Sequence, residues 1–115
     1  CRYFSHGACI SMIRKMWTLV IRFKKNDMMG RKHVESLILD ELIKAGVSGA
    51  TVWTGVDGFG KRGRSSLVIE GSGVNMPMII ETIGEQTEIE RLLPEIQKII
   101  GENGLISISE VYIPF

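Results

Sequence analysis

The order in which hydrophobic patterns follow one another restricts the folds open to this chain. Residues 17–24 alternate apolar and polar side chains, which is the period of a half-buried strand. Residues 31–45 and 87–100 instead repeat apolar positions every three or four residues, as amphipathic helices do. Further extended segments are predicted at residues 50–54, 66–70, 77–83, 105–108 and 111–113. The predicted order is therefore β-α-β-β-α-β.

This order is typical of the ferredoxin-like α+β fold, in which an antiparallel sheet carries both helices on one face. Val20 and Val52 are expected on the other face of the sheet, which is therefore apolar in places. In a small domain, another subunit usually covers such a face. The length of 115 residues fits one domain. We assign residues 16–115 to that domain and treat residues 1–15 as an N-terminal extension that is either disordered or not native.

Local signals mark the ends of both helices. Asn26 and Asp27 supply turn or N-cap chemistry before the first helix. Thr87 and Glu90 have the spacing of a capping box for the second. Because an interior proline costs a helix roughly 3 kcal/mol, we expect a kink at Pro94 or a helix that restarts there.

The charge balance excludes a general affinity for polyanions. The chain has 14 Lys and Arg against 13 Asp and Glu, a net charge of +1. So small a charge does not suggest general binding to nucleic acid or to an anionic membrane, and no nucleic-acid partner is expected. The longest apolar stretch is far too short to span a bilayer. Since Cys1 and Cys9 do not suggest a disulfide scaffold, the expected location is the cytoplasm.

Residues that commonly carry catalysis or hold metals are sparse. His6 and His33 are the only histidines, and together with the two cysteines they lack the spacing of a metal site. The sequence shows no Ser/His/Asp grouping, and both cysteines precede the predicted domain. We therefore predict no metal cofactor and no enzymatic activity.

The best candidate for a binding site is the segment at residues 55–66. Four glycines lie within residues 55–63, so we expect an irregular loop there. Lys61, Arg62 and Arg64 add three positive charges within four residues. Glycines let backbone N–H groups approach a ligand, and such groups beside cations hold phosphate or carboxylate. The alternative is a solvated turn that binds nothing.

A Walker A motif begins in this segment but is not completed. Gly55, Gly60 and Lys61 have the required spacing, but Arg62 stands where the motif needs a Ser or Thr to bind magnesium. A P-loop also opens a helix, whereas residues 66–69 continue as a strand. ATP hydrolysis is therefore not expected.

Several stretches of the sequence are similar to those of a known family. The matching text is AGVSGATV at residues 45–52, GVDGFG at residues 55–60, PMIIE at residues 77–81 and LPEI at residues 93–96. Between about residues 17 and 113 the chain resembles domain-of-unknown-function family 190, small bacterial and archaeal proteins related to PII. The family also carries a proline at the position of Pro94.

The resemblance implies a ferredoxin-like subunit in a trimer whose sheets face a common centre. It implies that small effectors, often adenine nucleotides, bind in the clefts between subunits. The loop between the second and third strands would then move and engage a target, often a membrane transporter or an enzyme. The histidine that commonly follows the glycine run in this family is absent here, as is the loop tyrosine that classical PII proteins modify, so uridylylation is not expected.

These inferences together predict a non-catalytic homotrimeric sensor that binds a small anionic effector, an adenine nucleotide in our interpretation. The expected ligand-binding residues are Thr51, Gly55, Gly58, Phe59, Gly60, Lys61, Arg62 and Arg64.

Two other functions are compatible with the same fold class. A CutA-like metal-tolerance protein would need soft or imidazole ligands, and His33 is the one such residue we identify in the predicted domain. An acylphosphatase-like enzyme would need a phosphate-binding loop with an Arg, together with an Asn on a strand, and no suitable strand Asn is evident.

Overall fold

The computed structural model describes residues 2–3, 9–10, 13–66 and 75–114. Within these ranges the backbone forms two helices, α1 (Val34–Lys44) and α2 (Gln86–Ile100). The strands there are β1 (Arg2–Tyr3), β2 (Cys9–Ile10), β3 (Ile13–Lys24), β4 (Met28–Met29), β5 (Lys32–His33), β6 (Thr51–Thr54), β7 (Asp57–Gly60), β8 (Gly63–Ser66), β9 (Pro77–Gly84) and β10 (Leu105–Pro114).

Four of these strands form the central sheet, in the order β10-β3-β9-β6 with every neighbouring pair antiparallel. Along the chain these strands and the two helices alternate as β3-α1-β6-β9-α2-β10. The predicted ferredoxin-like α+β fold is confirmed. The two predicted segments at the C-terminal end are one continuous strand, β10, because all ten of its residues pair with β3.

The core lies between one face of the sheet and both helices. Leu19, Ile21 and Ile80 are fully buried on that face, and Ile38 from α1 and Ile96 from α2 pack against them. Full burial of each such side chain contributes about 1.5–3 kcal/mol. The sequence predicts this core because apolar residues recur on the buried side of each element, every second residue in β3 and every third or fourth residue in the helices.

The sheet face that points away from the helices is called here the open face. Val20 lies on it, as predicted, because it alternates with buried Leu19 and Ile21. The prediction for Val52 is wrong. Val52 stands directly opposite Ile80 in the β6–β9 register, and residues directly opposite share a face, so Val52 belongs to the helix side. Trp53, its neighbour in β6, lies on the open face and is 57% exposed.

The first helix starts later than its sequence signals indicate. Asp27 is not its N-cap, because β4 and β5 intervene and His33 occupies the cap position. Asp27 does have the predicted turn chemistry, since its carboxylate accepts a hydrogen bond from the Lys24 N–H at 2.9 Å.

The second helix differs from prediction at its start and at its proline. It begins after Glu85, so Thr87 lies inside its first turn and the predicted capping box is wrong. The helix runs without interruption through Pro94, so the predicted restart is also wrong. Buried Leu92 and Ile96 anchor the helix on both sides of the proline, and this packing outweighs the missing N–H.

The glycine-rich segment is regular, contrary to the prediction of an irregular loop. Strands β7 and β8 form an antiparallel hairpin with Lys61 and Arg62 at its turn. Gly63 follows the turn with a φ of +96°, a conformation that side chains other than glycine's rarely adopt. We call β7, this turn and β8 the glycine hairpin. The strand predicted at residues 66–70 lies outside the described residues beyond Ser66. None of the described helices combines the length and apolar character needed to cross a membrane.

Candidate functional site

A cleft of 540 Å³ lies between the glycine hairpin and one end of the sheet. Its sheet side includes Arg22 and Lys24, which alternate with buried Phe23 and so lie on the open face. Pro77 stands opposite Lys24, and Leu105 stands opposite Arg22. The remaining lining comes from the hairpin at residues 58–62 and from the loop at residues 102–104.

The hairpin turns its glycines toward the sheet. Gly58, Gly60 and Gly63 share one of its faces, because Gly60 pairs with Gly63 and strand residues two apart point the same way. A Cβ built on Gly58 would lie 3.5 Å from the Cγ of Pro77, so this face looks onto the sheet. Phe59 lies on the opposite face and is 89% exposed. The hairpin therefore lines the cleft mainly with backbone that a ligand can approach closely.

Gly55 fixes the base of the hairpin against the sheet. Its N–H donates a hydrogen bond of 2.8 Å to the carbonyl of Pro77. A Cβ at this position would lie 2.8 Å from the Cγ of Pro77, which is too close for any real side chain. Glycine is thus required here by close approach of two backbone segments.

The tip of the hairpin is fastened to two other loops. Arg62 donates hydrogen bonds of 2.7 and 3.0 Å to the two carboxylate oxygens of Asp27. It donates a third, of 3.2 Å, to the carbonyl of Asn103. The Lys61 ammonium donates to the carbonyl of Glu102. Both cations at the turn therefore have acceptors within the protein.

The ion pair at the hairpin tip shifts the pKa of both Asp27 and Arg62. Burial alone would raise the pKa of Asp27, but hydrogen bonds from Arg62 and the Lys24 N–H, with the nearby positive charges, hold that pKa below its usual value. The hydrogen bonds to Asp27 raise the pKa of Arg62. The pair is thus ionised at neutral pH, and Asp27 offsets the charge of Arg62.

Arg64 does not line the cleft, although it stands opposite Phe59 in the hairpin register. It donates hydrogen bonds of 3.0 and 2.7 Å to the carboxylate of Asp57. Those hydrogen bonds lower the pKa of Asp57. Both side chains are about half exposed, at 58% and 46%, so this pair contributes little to stability.

Thr51 is also apart from the cleft, at the far end of β6. It lines a separate depression of 360 Å³ together with Glu81 and Thr82. The Thr82 hydroxyl there donates a hydrogen bond of 2.6 Å to the carbonyl of Gly49, which connects the residues before β6 to the sheet. Thr51 therefore does not line the cleft beside the glycine hairpin.

The structure brings together most of the residues predicted from the sequence. The cleft-lining members of the predicted set are Gly58, Phe59, Gly60, Lys61 and Arg62. Gly55 lies at the base of the hairpin against Pro77, whereas Thr51 and Arg64 do not line the cleft. Sequence reasoning missed the contributions of Arg22, Lys24 and residues 102–104. The sequence does show Arg22 as a charged residue between the apolar residues of β3. A strand residue that only faces solvent has the same pattern, so the sequence alone does not single out Arg22.

Metal-ligating side chains are not clustered in the part of the chain that the structure describes. No group of three or more His, Cys, Asp or Glu residues there is arranged to hold a metal ion.

Comparison with known proteins gives a family match and a fold match. The model of the DUF190 family, described as Uncharacterized ACR, COG1993, matches residues 16–113. UPF0166 protein MJ1524 of Methanocaldococcus jannaschii is 35% identical over 95 residues, which cover 83% of this chain and 88% of that protein. The structure resembles CPII, a nitrogen regulatory PII-like protein from Thiomonas intermedia K12 solved with ADP, AMP and bicarbonate, with a TM-score of 0.74 at 17% identity over 93% of this chain and 94% of that one.

A second solved structure gives the same result at lower similarity. The GlnK–ATP complex of B. subtilis matches with a TM-score of 0.56 and 17% identity, covering 84% of this chain and 82% of that one. At these identities the two structures show the fold alone, and that fold is PII-like.

Proposed function

The chain belongs to the DUF190 family and has a PII-like fold, and on this premise we propose that it is a non-catalytic sensor of a small anionic effector. The effector binds in the cleft beside the glycine hairpin. The observation that carries the proposal is the chemistry of this cleft, in which a wall of glycine backbone faces several basic side chains. Backbone N–H groups beside cations are a common means of binding phosphate and carboxylate.

Electrostatics of the lining support an anionic ligand. Among the described residues that line the cleft, four are basic, and Glu102 is the acidic one. The basic residues are Arg22, Lys24, Lys61 and Arg62. Even with the charge of Asp27 set against Arg62, the lining stays positive. An adenine nucleotide is the effector class we propose. CPII was solved with two adenine nucleotides, ADP and AMP, and with bicarbonate, a smaller anion.

We place this subunit in a homotrimer in which the open faces pack against one another. The open face carries half-buried or exposed apolar side chains, among them Val20, Trp53 and Ile79. An apolar sheet face of this kind is usually covered by another subunit. Since the cleft opens along the same face, a neighbouring subunit would complete its outer wall.

The glycine hairpin and the residues after it are the segment that signals to a partner protein that the effector is bound. An anion in the cleft competes with Asp27 for Arg62, and the hairpin tip is then released from its present contacts. The exposed ring of Phe59 gives this segment an apolar surface for a partner protein, either a membrane transporter or an enzyme. The cytoplasm is the compartment in which we place this exchange.

Calorimetric titration of the purified protein, with its mass determined by light scattering, tests the proposal. ATP, ADP, AMP and bicarbonate are the probes, and we expect a trimer with one micromolar site per subunit for at least one of them. Arg62→Ala should weaken that binding more than Arg64→Ala, because Arg62 lines the cleft and Arg64 does not. A clean trimer that binds none of these probes would contradict the proposed function.

A further inference from the structure

The basic residues that line the cleft differ in whether their donors are already used. Arg62 donates to Asp27 and Asn103, and Lys61 donates to Glu102. The side chain of Arg22, in contrast, is exposed and has no hydrogen bond or ion pair with any residue in the described ranges. We propose that Arg22 is the side chain that binds the anionic group of the effector. This inference rests on the proposed function and deepens it.

The position of Arg22 is fixed by the sheet. It lies in β3, which pairs with β9 on one side and β10 on the other, so its backbone is held by two neighbouring strands. Ile79 and Leu105 stand directly opposite it on those strands. Arg22 is therefore a cation placed between two apolar residues on the open face, at the floor of the cleft. Cross-strand neighbours stand close enough for the alkyl chain of Arg22 to pack beside them, while its charged end lines the cleft.

Arg22 also binds an anion at lower cost than the residues of the turn. A ligand that binds Arg62 must compete with its two-point ion pair to a carboxylate that is only 11% exposed. Arg22 forms no such pair with any residue that the structure describes. A guanidinium presents parallel N–H donors that match the oxygens of a phosphate or a carboxylate, which a lysine ammonium does not.

The arrangement implies an order of events in the cleft. The anion first contacts Arg22, whose backbone is held in the sheet, and Arg62 joins when the hairpin tip leaves Asp27. The same chemistry serves the phosphate of a nucleotide and a small anion such as bicarbonate or inorganic phosphate. The class of ligand is an oxyanion, and titration with each source shows which one the site accepts.

The test compares Arg22→Gln and Arg22→Lys with Arg91→Gln. Arg91 is exposed on α2, on the helix side of the sheet, and provides a matched loss of charge away from the cleft. Each variant is titrated calorimetrically with ADP, bicarbonate and inorganic phosphate, after circular dichroism has shown that it is folded. We expect Arg22→Gln to weaken binding of the accepted anion by about tenfold to a hundredfold. Arg22→Lys should fall between Arg22→Gln and the unmodified protein, and Arg91→Gln should bind as the unmodified protein does.

The outcomes separate this inference from the proposed function. If the unmodified protein binds an anion and both Arg22 variants bind it equally well, Arg22 is a solvated surface residue and the inference is wrong while the sensor stands. If Arg91→Gln weakens binding as much as Arg22→Gln, the effect is one of net charge and the inference is again wrong. If the unmodified protein binds none of the three probes and none of the other nucleotides, both proposals fall. Should Arg22→Gln not fold, the loss measured with Arg22→Lys decides the question in its place.

Discussion

Arg62 and Asp27, which are 35 residues apart in the chain, form a two-point ion pair that joins the glycine hairpin to the turn after β3. The two hydrogen bonds measure 2.7 and 3.0 Å, and the Asp27 carboxylate accepts a third from the Lys24 N–H at 2.9 Å. The Asp27 side chain is 11% exposed and that of Arg62 is 33% exposed. This nearly buried carboxylate is therefore one of the contacts that hold the hairpin over the cleft, beside the backbone hydrogen bond at Gly55 and the contacts of the turn to residues 102 and 103.

Asp27→Asn should destabilise the protein and loosen the glycine hairpin. Asparagine keeps the shape of aspartate but has one acceptor oxygen and no charge, so Arg62 loses its charge-assisted partner. We expect a loss of about 1–3 kcal/mol in the free energy of unfolding. Urea unfolding measures this loss, and faster hydrogen exchange of the amides at residues 57–66 locates it.

Asp40→Asn is the matched control for this variant. Asp40 is exposed on α1, and its substitution should change the free energy of unfolding by no more than about 0.5 kcal/mol. Equal exchange rates for the hairpin amides in the Asp27 and Asp40 variants would show that the ion pair does not hold the hairpin.

The same ion pair predicts how stability depends on pH. Its hydrogen bonds hold the pKa of Asp27 below its ordinary value of 3.8, despite the opposing effect of burial. Because the unfolded chain binds a proton more readily, the contribution of Asp27 is complete above about pH 5 and is lost as the pH falls through about 4 toward the folded pKa. The difference in unfolding free energy between the unmodified protein and Asp27→Asn should be constant near neutrality and shrink in acid. Urea unfolding at several pH values measures it, and a gap that stays unchanged down to about pH 3 would assign the effect to packing instead.

The fold was predictable because its main determinants are periodic and local. The alternation at Leu19, Ile21 and Phe23 and the stripe through Ile89 and Ile96 each record burial on one side of an element. Their order along the chain then leaves few ways to cover all apolar faces. Val52 was assigned to the wrong face because one residue of register, set by pairing with β9, reverses which side a strand residue faces.

The candidate site was predictable in composition but not in arrangement. Glycines and cations near residue 60 indicated an anion site, yet nothing local shows that Arg62 meets Asp27 and Asn103, which are distant in sequence. The hairpin was missed because glycine has low strand propensity, and contacts at its base and tip decide its conformation. Arg22 was missed because its role depends on which strands lie beside it.

Gly55→Ala tests the contact at the base of the hairpin. The new methyl group would meet the Cγ of Pro77 at 2.8 Å, so either the hairpin or β9 must shift. We expect a loss of about 1–3 kcal/mol in the free energy of unfolding, measured by urea denaturation. Gly49→Ala is the control, because no atom lies within 4 Å of its new Cβ and its backbone is not left-handed. Equal stability of the two variants would contradict a requirement for glycine at position 55.

The proposed trimer can be tested by a substitution on the open face that leaves the charged residues of the cleft unchanged. Ile79 lies on this face beside Trp53, which is 57% exposed in the single subunit. A lysine at position 79 would bury an unpaired charge in the trimer but not in the monomer, so Ile79→Lys should shift the mass toward that of a single subunit. Ile43→Lys is the matched control, since Ile43 is 75% exposed on α1, across the sheet from this face. Light scattering at several protein concentrations measures both masses. We expect only Ile79→Lys to dissociate, because assembly removes the new charge from water only in that variant. Dissociation of both variants, or of neither, would mean that the open face is not the interface between subunits.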